Sequence, residues 1–102
     1  MAAGKANVTI THSDTQSGGG RYVAEVGGSG HTGHLDWEPR GDGVRIATHT
    51  IVPREIGGQG VAAQLVDALV ADAKEHSFKI VPQCSYVEKK FDENPGWSDM
   101  RV

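Results

Sequence analysis

Val52-Pro53-Arg54-Glu55-Ile56-Gly57-Gly58-Gln59-Gly60-Val61-Ala62 joins the end of a β-branched run to the start of an amphipathic one, and its reading decides the fold. Glycines at 57, 58 and 60 permit a sharp turn and a close approach of backbone to a ligand. The amides of the helical turn that follows lack partners inside the helix and carry the positive end of its dipole, so the connection suits a phosphate group, above all a pyrophosphate. A glycine-rich strand-to-helix turn also arises wherever a helix starts close to a sheet. The elements on either side decide between the two.

Upstream, short β-prone runs alternate with glycine turns. Val8-Thr9-Ile10-Thr11 and Arg21-Tyr22-Val23-Ala24-Glu25-Val26 read as strands separated by the turn Ser17-Gly18-Gly19-Gly20. Gly27-Gly28-Ser29-Gly30 leads into His31-Thr32-Gly33-His34-Leu35-Asp36-Trp37, where Leu35 and Trp37 alternate with polar neighbours as one face of a half-buried strand does. After the turn Pro39-Arg40-Gly41-Asp42-Gly43 comes the longest β-prone run, Val44 to Val52. Such short turns predict an antiparallel meander that delivers its last strand to the glycine turn.

Downstream, the stretch from about Gln59 to His76 carries Val61, Leu65, Leu69 and Ala73 at four-residue steps, widened by Val66 and Val70. That spacing predicts a helix with one apolar face on the sheet. Phe78-Lys79-Ile80-Val81 follows as a short strand, and a strand-helix-strand unit predicts that it runs parallel to the strand ending at Val52. Pro82 stops it, and Ser85-Tyr86-Val87-Glu88-Lys89-Lys90-Phe91 reads as a second, short helix ending before Asn94-Pro95. The predicted fold class is α+β (mixed α/β), an antiparallel meander leading to a β-α-β unit and a short C-terminal helix, in a single domain over residues 1–102.

Composition narrows the partners. A formal net charge of −3, with Lys89-Lys90 the one adjacent basic pair, argues against a nucleic-acid or anionic-membrane surface. No apolar run approaches the ~18 residues that span a bilayer, and Met1-Ala2-Ala3-Gly4-Lys5-Ala6-Asn7 lacks the apolar core of a signal peptide. The single cysteine, Cys84, cannot form an intrachain disulfide, so the cytoplasm is the expected compartment.

Two familiar glycine motifs fail on this chain. Gly58-x-Gly60-x-x-Ala63 formally fits a dinucleotide fingerprint, but antiparallel hairpins precede its strand, and the next strand ends in Val81-Pro82-Gln83 without a carboxylate for a ribose. A Walker turn needs Gly-Lys-Ser or Gly-Lys-Thr, and neither follows.

The ordered set His49-Thr50-x-Val52-Pro53-x-Glu55, Gly58-Gln59-Gly60-Val61-Ala62, Leu65-Val66, Val81-Pro82-x-Cys84-Ser85-Tyr86-Val87 and Asn94-Pro95-Gly96-Trp97-Ser98-Asp99 resembles the compact branch of the GNAT superfamily of N-acetyltransferases, from about Arg21 to Met100. The resemblance implies a GNAT-like fold in which strands four and five splay apart, with acetyl-CoA as cofactor, CoA as product, and an amine, free or on a protein, as acceptor. It places the superfamily's phosphate glycines at Gly58 and Gly60, with Glu55 where arginine or glutamine is usual and Gly57 where a basic residue is common. The backbone amides of Gly58, Gln59, Gly60, Val61 and Ala62 need no particular side chain to hold phosphate, and Arg54 stands near enough in sequence to add a cation. By the same resemblance Ile51 and Val52 offer backbone groups to the pantetheine arm.

Attack of an amine on a thioester calls for a base near neutrality and an acid near the departing sulfur. His49 suits the first, and Tyr86 or Cys84 the second, Tyr86 by analogy with a tyrosine beyond the fifth strand of many GNAT enzymes. Cys84 also opens a covalent route, because a helix amino terminus favours thiolate and His49 could lie across the strand gap. An ordinary buried Cys84 and a solvent-facing His49 are the plain alternatives. His31-x-x-His34 puts its side chains on opposite faces of a strand with no third ligand, so no metal is expected; Trp37 reads as core, Trp97 as packing for the tail, and Asp72 with His76 as a helix-surface pair. Only Thr11 to Gly20 stands where larger relatives carry helices that wall the acceptor site. The rival to an enzyme is therefore an acetyl-CoA-binding or CoA-binding interaction or sensing module without catalysis.

Overall fold

The computed structural model describes residues 7–16 and 18–102; the leader reading over residues 1–6 and the Ser17 end of the first glycine turn lie outside the described residues. Strands β1 (Val8–Asp14), β2 (Gly20–Val26), β3 (Thr32–Pro39) and β4 (Val44–Ile51) precede helix α1 (Val61–His76). Strand β5 (Lys79–Pro82) and helix α2 (Ser85–Glu93) follow it, and short 3-10 turns occupy Arg54–Ile56 and Pro95–Met100. The sheet order is β1-β2-β3-β4-β5, antiparallel through β4, with β5 parallel to β4.

Alternation along the strands gives the sheet two unlike faces. Tyr22, Ala24, Val26, Leu35, Trp37, Ala47 and Ile80 are buried together with the Val61, Leu65, Leu69 and Ala73 stripe of α1, and Val87 and Phe91 of α2 join the same core. On the opposite face of β2 and β3, Arg21, His34, Asp36 and Glu38 remain wholly or partly exposed. Gly20 serves this packing directly, since a Cβ there would collide with the Trp37 indole.

Strand β4 departs from a regular ladder twice. Asp36 pairs with His49 but Trp37 pairs with Ala47, so Thr48 is an extra residue, a β-bulge whose hydroxyl donates to the Asp36 carbonyl at 3.2 Å. Pairing with β5 then ends at Ala47 opposite Pro82, and residues 48–51 run on without a β5 partner. The strands splay there, and the Cys84 amide closes the junction with a 2.8 Å bond to the Ala47 carbonyl.

Several details differ from the sequence reading. The helix begins at Val61 rather than near Gln59, because Gly60 takes a left-handed conformation that ends the turn before the helix can extend upstream. The fifth strand is displaced by one residue, to Lys79–Pro82, because the Phe78 amide bonds back to Ala73 and belongs to the helix end. Asp72 is no mere surface partner of His76, since it accepts the Tyr22 hydroxyl at 2.6 Å. Beyond α2, Trp97 meets Phe91 edge-on at 5.3 Å, and the Val102 amide donates to the Ile80 carbonyl at 2.9 Å, so the tail covers the outer edge of β5.

Candidate active site

Gly58 at φ +73° and Gly60 at φ +76° bring the chain from the Arg54–Ile56 turn into α1, and at both positions a Cβ would point into open space. No side chain caps α1, and the Gly60 carbonyl accepts the Gln64 amide at 3.1 Å. Among the described residues, the backbone amides from Gly58 through Ala63 therefore have no acceptor of their own and are free to bond a ligand. Beside them lies a cavity of about 300 Å³ lined by Val52, Ile56, Gly57, Gly58, Gly60, Val61, Ala62, Ala63 and Tyr86. Open amides, a helix dipole and a lining without carboxylates fit the diphosphate end of a CoA molecule.

Of the residues singled out from the sequence, Val52, Gly57, Gly58, Gly60, Val61 and Ala62 line this cavity, whereas Ile51, Arg54 and Gln59 do not. Ile51 is 52% exposed, and Arg54 faces solvent on its 3-10 turn. Ile56 and Ala63 also line it, Ala63 at the last position of the dinucleotide-type spacing. Ile56 is buried and anchors the glycine turn to the core, a role legible only as an apolar residue inside an otherwise polar loop.

Tyr86 lines this cavity and stands two residues beyond Cys84. It is half-buried in the first turn of α2, with the Lys90 ammonium 5.6 Å from its ring centre. Cys84 stands just before that helix, at its N-cap position. Its thiol donates to the Thr50 hydroxyl oxygen on β4 at 3.4 Å. Burial pushes the Cys84 thiol up, but hydrogen bonding with Thr50 and the backbone of Val87 and Tyr86 outweighs it, and the thiol is held below its ordinary range.

His49 is carried to the other face. It is exposed, lies directly opposite Asp36, and lines a cleft of about 320 Å³ with Thr15, Gly20, Arg21, Asp36, Trp37, Glu38 and Thr48. Arg21 grips Asp36 with two bonds, Nε to Oδ1 at 2.6 Å and Nη2 to Oδ2 at 3.1 Å, and His34 Nε2 lies 3.8 Å from the same carboxylate. Adjacent strand residues face opposite sides, and the bulge at Thr48 decides which is which: His49 goes to the Asp36 side and Thr50 to the Leu35 side. The structure thus brings Cys84 to Thr50 and assigns His49 to the Asp36 cleft.

A bulged strand parts from its parallel neighbour just ahead of a glycine-rich helix start, the arrangement that the GNAT resemblance implies. Comparison with known families agrees: residues 21–100 match the GCN5-related N-acetyl-transferase family, and the chain belongs to it. The protein is accordingly an N-acetyltransferase, of a family whose acetyl donor is generally acetyl-CoA. Among solved structures, a GCN5-like protein from Staphylococcus aureus determined by NMR in solution superposes with a TM-score of 0.69 at 22% identity. The match covers 94% of this chain and 89% of that one, a likeness of fold.

Proposed function

We propose that the chain binds acetyl-CoA at the glycine turn and transfers the acetyl group to an amine that approaches through the His49 cleft. The observation that carries this reading is the row of unbonded amides from Gly58 to Ala63, beside a cavity that reaches Tyr86. Acetyl-CoA supplies an acetyl group activated as a thioester. The glycine turn and the first turn of α1 hold its diphosphate; His49 accepts the proton that the amine loses as its carbon–nitrogen bond forms; Tyr86 delivers a proton to the departing sulfur. Asp36 is already held by Arg21, so Glu38 is the cleft carboxylate that suits an amine carrying a positive charge.

The lowered Cys84 thiol favours a second route to the same product, in which the Cys84 sulfur takes the acetyl group as CoA leaves, and the amine then takes it from Cys84, releasing the thiolate. One experiment separates the possibilities: intact mass after incubation with acetyl-CoA, thermal unfolding with CoA, and CoA release with an amine, each on the native chain and Cys84→Ala. An acetyl adduct that needs Cys84 and passes to the amine supports the covalent route. Turnover without an adduct supports direct attack. Stabilisation by CoA without any turnover identifies a binding module, and no stabilisation overturns the site.

A further inference from the structure

The division of β4 between two faces leaves Cys84 without an imidazole beside it, and yet its thiol is held low. His49 points toward Asp36, whereas Thr50, the next residue, is opposite the buried Leu35 and reaches the sulfur at 3.4 Å. No side-chain bond caps α2, so among the described residues the Thr50 contact is the one side-chain hydrogen bond that the sulfur makes. It spans the stretch where β4 has lost its β5 partner, the part of the sheet in which a side chain from β4 and one from the start of α2 can meet.

We propose that Thr50 is the positioning residue for Cys84. Its hydroxyl accepts from the thiol at rest and, by rotating about its C–O bond, donates to the thiolate once the proton has left, so it fixes the sulfur's direction in both states. The proton goes to solvent rather than to His49, which stays available for the amine on the other face. This assignment rests on the reading that Cys84 takes part in the reaction, but the state of the sulfur can be read without any acetyl transfer.

The test is alkylation of Cys84 by iodoacetamide, followed by intact mass across a range of pH, on the native chain, Thr50→Val and Thr50→Ser, with thermal unfolding of each. The native midpoint should lie below that of the same chain unfolded in urea. Thr50→Val should move it upward by about one pH unit, and Thr50→Ser should restore it. At neutral pH a shift of that size leaves about tenfold less thiolate, partly offset by the greater nucleophilicity of a more basic sulfur, so alkylation slows about threefold.

An unchanged midpoint in a folded Thr50→Val chain overturns the proposal and leaves the backbone of Thr50, Tyr86 and Val87 as the cause. Should Thr50→Val not fold, equal midpoints for the native and urea-unfolded chains, or for native and Thr50→Ala chains, overturn it equally. Failure of acetyl transfer with the midpoints as expected overturns the functional reading and leaves the Thr50 assignment standing.

Discussion

Gly60 is the residue on which the entry into α1 turns, and with it the proposed phosphate site. Its φ of +76° lies where an L side chain crowds the following carbonyl, at a cost of roughly 1–2 kcal/mol. Gly60→Ala should therefore lower stability by about that amount in urea unfolding. It should also weaken the stabilisation that CoA confers, because the amides that follow lose their alignment. Equal CoA-induced shifts in the native and variant chains would remove Gly60 from the site. Tyr22 makes a prediction about pH. Burial, together with its bond to Asp72, pushes its phenol well above the ordinary value. The folded state thus keeps a proton that the unfolded chain gives up near pH 10, and stability should fall as pH rises above about 10. Tyr22→Phe should remove that alkaline slope, as read from urea midpoints against pH. At this scale the sequence was informative where a residue acts through its own backbone. Gly58 and Gly60 were legible because left-handed turns select glycine. Tyr22 with Asp72, and Thr50 with Cys84, were not, because the partners are fifty and thirty-four positions apart and meet only through tertiary packing.

The elements follow from periodicity, and α1 most directly. Leu69 is fully buried in the stripe that faces the sheet. Leu69→Ala should cost about 2–5 kcal/mol, measured by urea unfolding, as the loss of a side chain from a close-packed core. A cost well under that range would mean that the stripe does not pack as the structure describes. The four-residue spacing specifies this helix, whereas its first residue does not follow from the pattern, because Gly60 sets it by conformation rather than hydrophobicity. The bulge at Thr48 was hidden for a different reason. Nothing in Ala47-Thr48-His49-Thr50 marks an extra residue; it exists only relative to the pairing of β3 with β4. That shift sets which side chain of β4 faces which side, and so separates His49 from Cys84.

For the whole molecule, the tail beyond α2 closes what the sheet leaves open. Phe91 packs against Trp97, and the chain around Arg101 pairs with Ile80 at the outer edge of β5. Removal of residues 95–102 should expose that edge and part of the core. The truncated chain should unfold at a lower urea concentration and aggregate more readily on heating, with light scattering as the readout. A truncated chain as stable as the native one would show that the tail only rests on the surface. Among the described residues no helix is long and apolar enough to cross a membrane.

The sequence by itself determined the order of strands and helices, the glycine turn between β4 and α1, and the family, because periodicity, turn chemistry and an ordered motif act over a few residues at a time. Only the tertiary structure decided which residues of β4 face which side of the sheet. The bulge and the splay arise from pairing between distant segments, and they set Thr50 rather than His49 beside the Cys84 sulfur.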